Sequence, residues 1–142
     1  MVLPMFRIAK SFNFSASHII GGLPADHPCS RLHGHNYQVE VVLAYPRLNN
    51  VGMVRDYREL SALRMFIEEK LDHRHLNNVF GHDTTTAEFI SAWLFDWCRT
   101  HWPEVEKVCQ RNAWHLGRIQ TVKKGRKDEE HSVEITVSSG RS

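Results

Sequence analysis

Residues 33–43, HGHNYQVEVVL, place apolar side chains at every second position from Tyr37 to Leu43. Successive side chains of a strand point to opposite faces of a sheet, so this alternation predicts a strand with one buried face. Residues 6–14, FRIAKSFNF, carry apolar residues at even positions except Lys10 and predict a second such strand. The Gly- and Pro-rich loop between them, residues 21–28, favours an antiparallel pair.

Two helices are predicted in the middle of the chain. Asp56 and Glu59 have the spacing of a capping box, and apolar residues follow at helical period at positions 60, 63, 67 and 71. Thr85 and Glu88 repeat that spacing before a second helix. Its apolar face is marked by Phe89, Trp93 and Trp97.

Two further strands are predicted at residues 116–122 and 133–137. The resulting order, β-β-α-α-β-β, contains no βαβ alternation. We therefore predict an α+β fold, a four-stranded antiparallel sheet with two helices on one face, in a single domain over residues 1–142.

Composition excludes several classes of function. The net charge of +2 and the lack of a basic stripe argue against a nucleic-acid partner. No apolar run approaches the roughly 20 residues that a membrane span needs. Three irregularly spaced cysteines and an N-terminus without a signal-peptide pattern predict a cytoplasmic protein with reduced thiols. Ten histidines stand out, because imidazole serves metal and proton chemistry.

His33 and His35 lie two apart on one predicted strand, so both imidazoles leave the same face. The pair alone is equally consistent with surface or hydrogen-bonded histidines. His18, at the end of the adjacent antiparallel strand, brings a third imidazole to the same place. Three neutral imidazoles suit zinc and leave a fourth position open, as catalytic sites do.

Cys29 precedes His33 by four residues, in a Gly/Pro-rich loop. It is either a small buried hydrophobe, the common fate of a free cysteine, or a thiolate that acts as a base or nucleophile near a cation. A loop of this composition is a poor place for a cysteine that only packs in the hydrophobic core. Cys98 and Cys109 are interpreted as core or incidental.

Five motifs in this order resemble the 6-pyruvoyltetrahydropterin synthase family, which has the tunnelling fold. They are Phe14-x-Ala16-x-His18, Cys29-x3-His33-Gly34-His35-Asn36-Tyr37, Gly52-Met53-Val54-x-Asp56-Tyr57, Leu71-Asp72-His73-x2-Leu76-Asn77 and Thr86-Ala87-Glu88. The spacing from Cys29 to His33 is similar to that of the 6-carboxytetrahydropterin synthase branch of the queuosine pathway.

This resemblance implies a zinc-dependent lyase acting on the side chain of 7,8-dihydroneopterin triphosphate. Its implied zinc ligands are His18, His33 and His35, and Cys29 is the implied base. The implied proton relay is Asp72 and His73, which could otherwise be a helix-end charge and its neighbour. The family also implies a homohexamer of two stacked trimers, in which a neighbouring chain supplies the relay.

Thr86 and Glu88 match the residues that bind the pterin, although Glu88 also fits a capping box. One departure concerns the last strand, where Val137-Ser138 stands in place of the family's Glu-Thr pterin clamp. Three functions therefore stay open beside the first: a pyruvoyl-forming enzyme, a side-chain-cleaving enzyme with altered substrate recognition, and a non-catalytic zinc- or pterin-binding module.

Overall fold

The computed structural model describes residues 5–112 and 119–122, with side chains described up to residue 104. The elements in chain order are β1 (Phe6–His18), a 3-10 turn (Pro28–Ser30), β2 (His33–Tyr45), a second 3-10 turn (Tyr57–Leu60), α1 (Ser61–Lys70), β3 (Arg74–His75), α2 (Leu76–Phe80), α3 (Ala87–His101), β4 (Val105–Asn112) and β5 (Ile119–Val122).

One sheet holds all described strands, in the order β3-β1-β2-β4-β5. The four longer strands pair antiparallel, whereas the two-residue β3 pairs parallel to β1 at Ala16 and Ser17. The prediction of an α+β fold built on a four-stranded antiparallel sheet is confirmed. Among the described helices and strands, three were not predicted: the edge strand β3, the five-residue helix α2 and the strand β4.

The last strands differ from the prediction. β4 was missed because Val105 and Val108 do not alternate with polar residues at period two. β5, Ile119–Val122, lies within the strand predicted at 116–122. The strand predicted at 133–137, and with it Val137, lies outside the described residues.

The alternation in β1 and β2 divides the sheet into an apolar and a polar face. On the apolar face the buried residues of β1 and β2 pack with those of α1 and α3, and the core members are Phe12, Phe14, Tyr37, Val39, Val41, Leu43, Leu63, Ile67, Ile90 and Leu94. The opposite face carries Ser11, Asn13, Ser15, Asn36 and Gln38. Burial of the apolar face is the main stabilising contribution to such a two-layer fold.

The helix starts are capped, but differently from the predicted capping boxes. Asp56 accepts a hydrogen bond from the Arg58 amide at 2.9 Å, whereas Glu59 forms an ion pair with Arg55 at 3.0 Å. At α3 the cap is Thr86, not Thr85, and its hydroxyl accepts from the Phe89 amide at 3.2 Å. The capping-box role of Glu88 is therefore wrong, and Thr85 is buried instead.

Among the described helices, none combines the length and the apolar composition that crossing a membrane demands.

Candidate metal centre and its surroundings

Three histidines converge at one end of the apolar face. The register of β1 and β2 places His18 directly opposite His33, and His35 lies two residues further along β2 on the same face. Their ring centroids are 4.5 to 5.1 Å apart, and each offers a ligand atom within 4.8 Å of the other two. His18 and His35 are buried, with 2% and 8% of their surface exposed.

Backbone carbonyl oxygens hold two of these rings from outside. Nδ1 of His18 lies 2.7 Å from the Thr85 oxygen, and Nδ1 of His33 lies 2.7 Å from the Arg31 oxygen. A carbonyl oxygen only accepts, so each Nδ1 carries the hydrogen and each Nε2 keeps a lone pair. This outer hydrogen bond is typical of metal-ligating histidines, because it fixes both the tautomer and the ring orientation.

The donor set fits a divalent transition metal. Nε2 of His33 is buried and has no hydrogen-bond partner in the described part of the chain. A buried polar atom left unsatisfied costs about 1–3 kcal/mol, which a bound ion would offset. Three neutral imidazoles suit zinc, and such a set leaves a fourth position for water or substrate. His18, His33 and His35 are thus able to hold a metal ion together.

Thr85 supports this cluster and was missed as a site residue. It is fully buried before α3, and its hydroxyl donates to the Ile19 carbonyl at 3.1 Å. Its own carbonyl accepts from His18. The sequence pattern at Thr85 indicated only a helix cap. Its contact with His18 spans 67 residues, and the spacing of nearby residues does not indicate such a contact.

Asn77 fixes the chain directly after His18. Its Oδ1 accepts from the Ile19 amide at 2.9 Å and its Nδ2 donates to the Ile19 oxygen at 2.8 Å. The side chain therefore acts like a short strand partner beyond the end of β1. Asn77 is the last residue of the motif that begins at Leu71, but the motif alone did not assign a role to it.

Cys29 lies in the 3-10 turn between β1 and β2, with a free, half-buried thiol. Its carbonyl accepts from the Ile20 amide at 3.0 Å, which ties the turn to the segment after His18. Cys98 contrasts with it, because burial in the core raises the pKa of that thiol to about 12. Of the two interpretations offered for Cys98, core or incidental, the structure shows the first, while the side chain of Cys109 lies outside the described ones.

Asp72 and His73 form a second cluster after α1. The Asp72 carboxylate lies 3.1 Å from Nδ1 of His73, and it also accepts from the Ser15 amide at 2.9 Å. The Ser15 amide, and then His73, hold the pKa of Asp72 below its usual range. His73 has a φ of 57°, in the region that non-glycine residues rarely adopt, and strain of this kind is often found at functional sites.

His35 of the metal centre and His73 of the second cluster line a common groove. An open groove of about 610 Å³ follows the polar side of the sheet; its lining residues are Ser15, Ala16, Ser17, Gly34, His35, Asn36, His73, Arg74 and His75. Cys29 is not among them. Within the described residues, no hydrogen bond connects Cys29 to Asp72 or His73.

Glu88 lies exposed in the first turn of α3, and no hydrogen bond joins it to another described residue. Its carboxylate is available to a ligand, as is the donor hydrogen of the Thr86 hydroxyl. The position that departs from the family pattern, Val137, lies outside the described residues.

Comparisons with known proteins agree with the resemblance. The sequence model of the family described as 6-pyruvoyl tetrahydropterin synthase matches residues 7–121. The 6-carboxy-5,6,7,8-tetrahydropterin synthase of Synechocystis sp. is 39% identical over 97 residues, which cover 64% of this chain and 73% of that protein. The protein of the same name from Haemophilus influenzae is 34% identical over 116 residues, covering 65% and 81%.

The fold has a counterpart among solved structures. The 6-pyruvoyl tetrahydropterin synthase of Caenorhabditis elegans superposes with a TM-score of 0.74 at 21% identity, over 86% of this chain and 98% of that one.

Proposed function

This chain belongs to the 6-pyruvoyl tetrahydropterin synthase family, and on that premise we propose that it is a zinc-dependent 6-carboxytetrahydropterin synthase. Its substrate is 7,8-dihydroneopterin triphosphate, and its products are 6-carboxytetrahydropterin, acetaldehyde and triphosphate. The observation that carries the proposal is the convergence of His18, His33 and His35, held from outside by carbonyl oxygens. The names of its relatives from Synechocystis sp. and Haemophilus influenzae support the choice of product.

His18, His33 and His35 hold the metal in this proposal. When bound, zinc acts as a Lewis acid toward the side-chain oxygens and makes the adjacent C–H bond acidic. The carbonyl oxygens of Thr85 and Arg31 keep the rings of His18 and His33 oriented for that task.

Cys29 is the base that moves a proton at the side-chain carbon. Support comes from the half-buried Cys29 and from its turn, which is tied to the segment after His18 by the bond from the Ile20 amide to the Cys29 carbonyl. Asp72 keeps the ring of His73 oriented through the 3.1 Å contact, so that His73 relays the proton. A carboxylate held ionised by the Ser15 amide suits this orienting role, because it stabilises a protonated imidazole beside it.

Glu88 accepts hydrogen bonds from the 2-amino group and N3–H of the pterin, and Thr86 lies beside it. Support comes from the exposure of Glu88 and from the absence of a capping role for it in the described residues. A carboxylate can accept both donors of that edge of the ring.

A neighbouring chain completes the site in this proposal, in a homohexamer of two stacked trimers. Among the described strands, the outer edge of β1 has a partner only at Ala16 and Ser17. Such an open edge is a template for pairing with another chain. A second argument is that, within the described residues, no hydrogen bond connects Cys29 to Asp72 or His73 and Cys29 does not line the groove of His73; in the proposed assembly the relay serves the base of a neighbouring chain.

The direct experiment is incubation of the metal-loaded protein with 7,8-dihydroneopterin triphosphate, followed by mass spectrometry of the products. We expect 6-carboxytetrahydropterin and acetaldehyde. A 6-pyruvoyl product or a hydroxymethylpterin would assign one of the other lyase reactions. Binding of the substrate without turnover would assign the chain as a zinc- or pterin-binding module.

Val137 favours one alternative, in which the substrate is recognised differently. Burying a pterin donor without an acceptor costs about 1–3 kcal/mol, so the missing clamp should raise KM and leave the chemistry intact. The variant Val137→Glu should lower KM for 7,8-dihydroneopterin triphosphate. An unchanged KM in this variant, together with a low KM in the wild type, would remove Val137 from the account of recognition.

A further inference from the structure

The turn that carries Cys29 begins with an unusual cap. His27 precedes the 3-10 turn Pro28–Ser30 with extended backbone, at φ −71° and ψ 130°. Its Nδ1 accepts a hydrogen bond from the Cys29 amide at 3.0 Å. Serine, threonine, aspartate and asparagine are the common residues at this position, and histidine is not.

The cap satisfies the amide group that the turn would otherwise leave without a partner. Pro28 has no N–H, and the Ser30 amide bonds to the His27 carbonyl at 3.0 Å. The Cys29 amide therefore depends on the His27 side chain. With the Cys29 carbonyl bonded to the Ile20 amide, both polar backbone groups of the cysteine are fixed.

We propose that His27 is a positioning residue for Cys29. Its unprotonated Nδ1 fixes the backbone of the turn, and through it the place of the thiol relative to the end of β1 that carries His18. The kinetic part of this inference rests on the proposed function, since the thiol has a catalytic task only if the chain turns over a substrate. The contact itself does not depend on any substrate.

Two variants and a matched control separate positioning from general stability. His27→Ala removes the acceptor, whereas His27→Asn supplies a side-chain oxygen that caps turns and helices well. His82 makes the same kind of contact in another loop, where its Nδ1 accepts from the Thr84 amide at 3.1 Å. His82→Ala therefore removes the same kind of bond from an amide other than that of Cys29.

The measurements are hydrogen exchange of the Cys29 amide in the full metal-loaded protein, and kcat and KM for 7,8-dihydroneopterin triphosphate. In His27→Ala we expect exchange about tenfold faster or more and kcat about tenfold lower, with KM within about twofold, because a misplaced base affects the chemical step. His27→Asn should restore both quantities, and His82→Ala should change neither.

Faster exchange in His27→Ala with an unchanged kcat would make the cap purely structural and overturn the inference. Unchanged exchange in His27→Ala would also overturn it, and so would failure of His27→Asn to restore kcat. If the wild-type protein itself makes no product, the proposed function fails separately. In that case the rate of Cys29 alkylation by iodoacetamide decides: a change in His27→Ala that His27→Asn reverses supports positioning, and equal rates overturn it.

Discussion

Nδ1 of His18 lies 2.7 Å from the backbone oxygen of Thr85, across 67 residues of sequence. The contact ties the end of β1 to the segment that begins α3. It also leaves Nε2 of His18 as the nitrogen with a lone pair, which a metal ion requires. The candidate metal centre thus depends on the packing of a helix as well as on the pairing of two strands.

Thr85→Val tests this dependence. Valine keeps the backbone oxygen that accepts from His18, but removes the hydroxyl, which lies 3.3 Å from Nδ1 of His18 and donates to the Ile19 oxygen. Asn77 continues to satisfy the Ile19 oxygen. We expect a loss of about 1 kcal/mol in the free energy of unfolding and metal affinity lower by about tenfold. Thr84→Val, at an exposed neighbouring position, is the control and should change both quantities little. Equal metal affinity in the two variants would contradict the supporting role of Thr85.

Cys29→Ala should abolish turnover and leave the metal content unchanged, because in the proposed mechanism the thiol acts as a base and not as a ligand. Loss of a proton-transfer group typically lowers the rate by about 10²–10⁴-fold. The matched control is Cys98→Ala, in the core, which should affect stability and not kcat. Stoichiometric loss of metal in Cys29→Ala would make Cys29 a fourth ligand, and near wild-type activity would remove it from the mechanism.

The lowered pKa of Asp72 predicts a pH dependence of stability. In the unfolded chain the carboxyl titrates near its usual value of about 3.9, while in the folded chain it stays ionised to lower pH. Its contribution is therefore complete above about pH 5 and is lost as the pH falls through the folded pKa. Urea unfolding of metal-free wild type and Asp72→Asn should give a stability difference that shrinks over this acid range. A difference independent of pH would contradict the assignment.

The proposed assembly across chains predicts complementation between two inactive variants. Cys29→Ala and His73→Ala chains, each inactive alone, should recover part of the activity when they are mixed and reassembled. The reason is that some interfaces then combine an intact Cys29 with an intact His73. Light scattering should give about six times the chain mass. A mass near 16.5 kDa, or mixed oligomers without activity, would place the whole site in one chain.

Strand alternation was sufficient to predict the framework of the site. The period-two pattern of β1 and β2 predicts which face is buried, and the register then brings His18 opposite His33. Local pattern could not predict β4, whose apolar residues do not alternate. It also placed the cap of α3 one residue early, because Thr85 and Thr86 are both good cap residues and only burial distinguishes them.

Contacts that arise only from the tertiary structure could not be predicted from the sequence. The hydrogen bonds between the Asn77 side chain and the Ile19 backbone span 58 residues, and no periodicity in the sequence indicates them. The positive φ of His73 is likewise set by its bonds to the edge of β1, where its amide donates to the Ser15 oxygen at 2.7 Å. The roles of Cys29, Glu88, Asp72 and His73 stay predictions, which the variants above address.

The central claim is that a metal held by three histidines drives the reaction on the pterin side chain. Its most direct test is metal content and turnover of 7,8-dihydroneopterin triphosphate, measured on the same samples of wild type and the double variant His33→Ala/His35→Ala. We expect about one zinc per wild-type chain, loss of turnover on chelation, recovery with one equivalent of zinc, and neither metal nor turnover in the double variant. Full metal occupancy in the double variant, or undiminished turnover by metal-free wild type, would contradict the account.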